Sequence, residues 1–190
     1  MQKEEIILNH IKHRRSIFPA SYNTKEIARQ DLFEIIQAAT YAPTHKLTQP
    51  WRFMVFNGAG LIKLADLMAN FYKKNTPPDQ FLQKKYDVTK EKILRSAAVI
   101  AINIHYSGLV PKWEEVAAVG AAVQNLWLAA AAKEIGGYWS TPNSIKNLKE
   151  PFKLSANEEC LGLFYLGYHQ EKDREALREP TETKIIWVEE

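Results

Sequence analysis

Apolar residues recur along this chain in two rhythms. Ile7, Leu8 and Ile11 give the first segment one apolar helical face, and Leu32, Ile35, Ile36 and Ala39 repeat the i, i+3, i+4, i+7 spacing in a second. WRFMVF (51–56) then reads as a strand, GAG (58–60) as its turn, and Leu61, Leu64, Ala65, Met68, Phe71 and Tyr72 as the face of a third helix. Pro77 and Pro78 break it. Residues 80–95 keep a helical rhythm but are polar and Lys-rich, which puts them outside the core, as a solvated arm or as a lid over a site, the arm being the favoured reading.

AAVIAINI (97–104) and CLGLFYLGY (160–168) are continuous apolar runs of strand length, as expected of central strands covered on both faces. An Ala-rich helix over 115–135 lies between them, and its small side chains permit close approach to a neighbouring element or to a second copy of itself. After Gly167 the segment EKDREALREPTE is charged, and KIIWV (184–188) reads as a last short strand that packs on another subunit or folds back on its own sheet. Together these elements predict one layered domain of helices and strands over 1–190, with no internal repeat.

Composition narrows the classes. With 46% hydrophobic and 25% charged residues, 190 residues can bury one core. A net charge of +3, from 25 basic and 22 acidic residues spread along the chain, is too diffuse for a nucleic-acid groove. A single cysteine, Cys160, rules out an intrachain disulfide and is read as a core residue. With no apolar leader, it points to a reducing cytoplasm. The run AAVGAAVQNLWLAAAA (117–132) is the most membrane-like stretch, but Gln124 and Asn125 interrupt it and it is shorter than a span needs, so it reads as a buried helix.

GxSxG is absent, and the histidines at 10, 13, 45, 105 and 169 form no metal-ligand spacing. GAGLIK (58–63) lacks the third glycine of a dinucleotide fingerprint. Three stretches remain. HRRS (13–16) sets two guanidiniums and a hydroxyl at a helix end, where they can grip a phosphate, serve as a kinase substrate or simply be solvated. In APTHKLTQPW, Pro43 ends the second helix and Pro50 restricts Gln49 to extended geometry, so His45, Lys46 and Gln49 sit on a fixed connection able to line a cleft or merely to cross the surface. GGYWSTP (136–142) offers glycines that permit close approach of a ligand, the hydroxyls of Ser140 and Thr141, and Trp139 as a core residue or a stacking platform.

Taken in order, RRS near the start, AP..HK..QPW some thirty residues on, an Ala-rich helix ending in GG.W and a late YLGY resemble the FMN-dependent nitroreductase family from about residue 7 to 188. The likeness is greatest to a short bacterial branch that reads APDHK for APTHK and PRWE for PKWE (111–114); that branch has Arg where Tyr41 stands, and Arg and Ser where Ser140 and Thr141 stand. The resemblance implies an α+β, three-layer α/β/α sandwich with a central mixed, mostly antiparallel sheet, paired as an intertwined homodimer whose tail, 170–190, embraces the partner. It implies two FMN sites built from both chains. By position, Arg14, Arg15 and Ser16 would hold the phosphate and ribityl end, with Arg178 (or Lys184) from the tail. Tyr41, His45 and Gln49 would meet the flavin from the proline-bounded loop, and Trp139, Ser140 and Thr141 would border the ring.

The activity so implied is an NAD(P)H oxidoreductase that passes hydride through FMN by ping-pong kinetics to a nitroaromatic or quinone-like acceptor, NADH or NADPH being the co-substrate. The flavin carries the chemistry, no catalytic side chain or metal is needed, and Lys46 can place a cation beside the reduced ring. A flavin carrier without turnover and a flavin-free dimeric interaction protein are the alternatives from other classes.

Overall fold

The computed structural model describes residues 3–189, so the first two residues and the last one, Glu190, lie outside it. Helix α1 spans Lys3–His13, α2 Arg29–Ala39, α3 Ala59–Lys74, α4 Gln83–Leu94 and α5 Lys112–Ala132; the strands are β1 Trp51–Asn57, β2 Ala98–His105, β3 Ile135–Ser140 and β4 Glu158–Tyr168.

The four strands make one sheet in the order β1-β2-β4-β3, every adjacent pair antiparallel. Parallel pairing is confined, among the described residues, to the isolated bridge Ser16–Gly137. Strand alternation decides what each side chain meets. Ile100, Ile102 and Ile104 of β2 pack with Leu32 and Ile35 of α2 and with Val119, Ala122, Val123 and Leu126 of α5. Val99 and Ala101 turn to the other face, toward Leu64, Ala65 and Met68 of α3 and Ile93 of α4. The result is the α+β sandwich of three layers, with a core on each face of the sheet. One bulge interrupts the regularity: Ile102 pairs with Gly162 and Asn103 with Cys160, leaving Leu161 as the extra residue. Gly162 sits there at φ +145°, and a side chain would meet Trp139 and the Ser140 carbonyl at 2.5 and 2.7 Å.

Several expectations change. KIIWV forms no strand: Thr181–Lys184 is a short 3-10 turn, and Ile186, Trp187 and Val188 are 89, 78 and 85% exposed. A strand needs a partner edge, and none of the four described strands pairs with this segment. The apolar face that Ile7, Leu8 and Ile11 give α1 is present and largely exposed. Helix α5 begins three residues earlier than expected and, at 21 residues, reaches the length and apolarity of a bilayer span. Its buried stripe, from Ala118 to Ala130, is spent on the sheet and α2. Helix α4 is polar and lies along α3, with Lys85 over Tyr72, Tyr86 at Asn70 and Lys90 at Asp66, and near its C-terminal end Ile93 is buried. Cys160 is half-buried rather than fully enclosed, and burial pushes its thiol up to about 11.

Candidate functional site

The C-terminal end of α1 delivers the first group of side chains. Nε2 of His10 lies 2.7 Å from the Leu128 carbonyl, tying α1 to α5, and Arg14 follows, its guanidinium 4.3 Å from the ring centroid of Trp127. Both line a cavity of about 430 Å³ with Gly136 and Gly137 of β3 and His169. An adjoining groove of about 730 Å³ shares Arg14, Arg15 and Arg174 and adds Arg178. Acidic groups are present as well: Glu134, Glu171 and Asp173 line the first cavity, and Asp173 and Glu175 the second.

Arg14 and Arg15 differ in what their donors do. Arg15 gives Nε to the Arg174 carbonyl at 2.9 Å and Nη1 to the carbonyls of Lys12 and Arg14 at 2.5 and 2.8 Å. Arg174 returns Nη2 to the Ser16 carbonyl at 2.9 Å, so this pair clamps the start of the tail to the start of the fold. Arg14 instead keeps Nη1 buried and without a partner, and Nε1 of Trp127 is orphaned in the same way. Two buried donors without acceptors are costly. Burial, then Arg15, then Arg178 lower the pKa of Arg14, which places Arg178 within electrostatic reach. A cavity with unspent donors and surplus arginines fits an anion such as a phosphate monoester.

The proline-bounded loop lies elsewhere. His45–Leu47 forms a single 3-10 turn in which Lys46 and Leu47 have φ of 49° and 53°, and Gln49 follows at 43°, a left-handed φ in place of the extended geometry expected before Pro50, held by the loop's own hydrogen bonds. Three non-glycine residues in the left-handed region mark an over-determined backbone. The determinants are local: Thr44 and Thr48 hydroxyls lie 2.9 Å apart, and the Gln49 N–H donates to Thr44 Oγ1 at 3.2 Å. Nδ1 of His45 is 2.6 Å from Oε2 of Glu114, and Lys46 Nζ donates to the Leu109 carbonyl at 3.2 Å. Tyr41, just before the loop, is 78% exposed.

The third segment ends β3. Trp139 is partly buried against the α2/α5 core with Nε1 unpartnered, while Ser140 accepts from Nζ of Lys92 at 3.2 Å and Thr141 is exposed. Lys92 lies over the rings of Tyr138 and Tyr165 at 4.6 and 4.4 Å, and its burial lowers its pKa. The two glycines before Trp139 do not need a ligand to explain them. A side chain at Gly136 would meet His169 and Ile17 at 2.8 Å, and one at Gly137 would meet Phe164 at 2.7 Å and Trp127 at 2.9 Å.

The fold thus gathers Arg14, Arg15, Ser16 and Arg178 at one end of α5, beside Trp127, and sets His45 and Lys46 at the other end, beside Glu114. Thirteen residues of helix separate Glu114 from Trp127, about 20 Å along the axis. Within one chain, Arg14 and His45 do not meet. Sequence reasoning missed Trp127, Arg174, Glu114 and Lys92. The first is masked by the apolar run around it, Arg174 by a linker-like segment, and the last two carried only their charge as a signal.

Comparison with known proteins adds the lineage. The model of the nitroreductase family matches residues 11–168. YdjA of Escherichia coli (strain K12), which carries an NAD(P)H nitroreductase designation, is 25% identical over 190 residues, covering 98% of each chain. YfhC of Bacillus subtilis (strain 168), of the same designation, is 26% identical over 198 residues, covering 95% of this chain and 93% of its own. Among solved structures, a nitroreductase-like family protein from Bacillus cereus superposes with a TM-score of 0.85 at 26% identity, covering 96% of both chains. A nitroreductase with bound FMN from Bacteroides fragilis NCTC 9343 shares the fold at a TM-score of 0.69 and 20% identity over 100% of both chains.

Proposed function

The chain belongs to the nitroreductase family, and on that premise we propose that it is an FMN-dependent NAD(P)H oxidoreductase acting on quinone-like or nitroaromatic acceptors. The observation that carries this reading is the pair of orphaned buried donors, Arg14 Nη1 and Trp127 Nε1, beside the arginine-rich cavity. Arg14 holds the cofactor phosphate there, supported by Arg178 from the tail, with Ser16 at the ribityl end. Support also comes from the bound FMN of the B. fragilis structure and from the NAD(P)H designations of YdjA and YfhC.

When bound, FMN supplies two-electron chemistry between NAD(P)H and an acceptor that take turns at one site, which is the origin of ping-pong kinetics. The protein's part is positioning. Because Arg14 and His45 sit about 20 Å apart along α5, one cofactor reaches both kinds of residue only if a second subunit brings its own proline-bounded loop. We assign the functional unit as a homodimer in which Tyr41, His45, Lys46 and Gln49 of one chain face the flavin held by its partner. Trp139, Ser140 and Thr141 border the ring, with Lys92 setting the Ser140 hydroxyl. The exposed apolar residues of α1 and of the tail are the surfaces such a pairing would cover.

The test is the visible spectrum of the purified protein before and after anaerobic NADH or NADPH. Flavin bands that bleach on addition are the expected outcome. Bands that persist would indicate a flavin carrier, and a colourless protein that takes up no added FMN would sink the reading.

A further inference from the structure

Two motifs that are far apart in sequence, APTHK and PKWE, meet in the structure through one contact: Nδ1 of His45 lies 2.6 Å from Oε2 of Glu114. From this geometry we infer that His45 is the acid that protonates the electron acceptor and that Glu114 is its positioning residue, an inference that rests on the flavin reading above. A carboxylate only accepts hydrogen bonds, so the proton of this contact belongs to Nδ1, and exchange with a substrate falls to Nε2. The side chain of His45 is 57% exposed against 23% for Glu114, and Nε2 makes no hydrogen bond among the described residues. The ring is therefore held from behind and open in front.

Other charged groups around the loop are committed elsewhere. Lys46 donates to the Leu109 carbonyl, and Arg52 of β1 donates to the carbonyls of Gln49 and Trp51. On α5, Lys112 lies over the Tyr106 ring, and Glu115 turns one oxygen to the Ser107 N–H, the other being buried without a partner. His105 is the other histidine near a carboxylate, but at 3.6 Å from Glu158 and with Asn157 on its ring. The loop backbone, with its three left-handed residues, keeps His45 from drifting.

The chemistry balances for a quinone. One carbonyl oxygen gains hydrogen with two electrons, as hydride from the reduced flavin, and the other carbonyl oxygen takes the proton from Nε2 of the imidazolium. The product is the hydroquinone, the flavin is reoxidised, and the neutral imidazole recovers its proton from water. Glu114 accepts from Nδ1, selects the Nδ1–H tautomer and orients the ring so that Nε2 faces outward.

The experiment separates the two half-reactions of the flavin-loaded protein by stopped flow, reduction by NAD(P)H and then reoxidation by a benzoquinone across pH, in wild type, Glu114→Gln and Glu114→Ala. Nitrogen-15 NMR of His45 at alkaline pH reports the tautomer. Glu114→Ala is expected to slow reoxidation by on the order of 100-fold, leave flavin content and the reduction step intact, and return His45 to the Nε2–H form. Glu114→Gln, whose amide oxygen still accepts from Nδ1, should keep the tautomer and fall between the two in rate. Reoxidation within twofold of wild type in Glu114→Ala, or an Nε2–H tautomer in wild type, would overturn the assignment while leaving the flavin reading intact. A protein that takes up no FMN overturns both. If Glu114→Ala fails to fold, the pH profile of reoxidation in Glu114→Gln decides: a changed profile supports the pair, and an unchanged one removes it.

Discussion

Arg14 and Arg15 are adjacent and chemically identical, yet the structure gives them different work. Three backbone carbonyls, of Lys12, Arg14 and Arg174, already absorb Arg15, whereas Arg14 lies on Trp127 with a buried nitrogen unspent. Charge-assisted hydrogen bonds contribute about 1.5–3 kcal/mol, so Arg14→Ala should weaken FMN binding by about 10- to 100-fold, measured by flavin fluorescence titration. Arg15→Ala should instead expose the tail, read as faster limited proteolysis between residues 170 and 180, with a smaller loss of affinity. Equal effects from the two substitutions would dissolve the distinction.

At the scale of elements, α4 shows how a polar helix is retained. Attachment rests on Ile93, buried in the α3-side core, and on Lys92, laid over two tyrosine rings, while at the surface Lys90 pairs with Asp66, Tyr86 donates to Asn70 and Lys85 lies over the ring of Tyr72, all three partners on α3. Ile93→Ala should therefore cost about 2–5 kcal/mol in denaturant unfolding, from lost burial plus the cavity left behind. Lys84→Ala, on the solvated side of the same helix, should stay within about 0.5 kcal/mol. The solvated arm expected from composition is thus a polar helix laid along α3 and anchored by one buried residue, Ile93. The central strands were legible for a related reason: β2 is buried on both faces, so its run of apolar residues has no polar interruption before Asn103.

For the whole molecule, two stretches concentrate exposed apolar residues. Ile6, Ile7, Leu8 and Ile11 crowd α1, and Ile185, Ile186, Trp187 and Val188 crowd the tail. Monomeric surfaces rarely tolerate such concentrations, and a partner that covered them would also complete the flavin site from its own loop. Analytical ultracentrifugation should find a dimer at micromolar concentration. Ile7→Asp with Ile11→Asp, or Trp187→Asp with Ile186→Asp, should shift it toward monomer and lower flavin content in parallel. A monomer that retains full flavin would refute the shared site.

By itself the sequence determined the elements whose signals are local. Periodicity placed the helices and the central strands, because burial on one face or two leaves a direct imprint on residue order. Pro43 and Pro50 marked the ends of the connection because proline fixes its own backbone wherever it occurs, but the left-handed φ of Gln49, set by the loop's tertiary and local hydrogen bonds, was not legible from the proline after it. The roles of KIIWV and of the apolar face of α1 were not legible, since apolar side chains do not say whether their own core or another chain will cover them. Nor was the purpose of Gly136 and Gly137, which depends on His169, Ile17, Phe164 and Trp127 arriving from other elements. Only the tertiary structure decided that Arg14 faces Trp127, that Arg174 locks the tail, and that His45 meets Glu114 across 69 positions of sequence. Those contacts depend on how α1, α5 and the loops pack around the sheet, and no local pattern of residues encodes that.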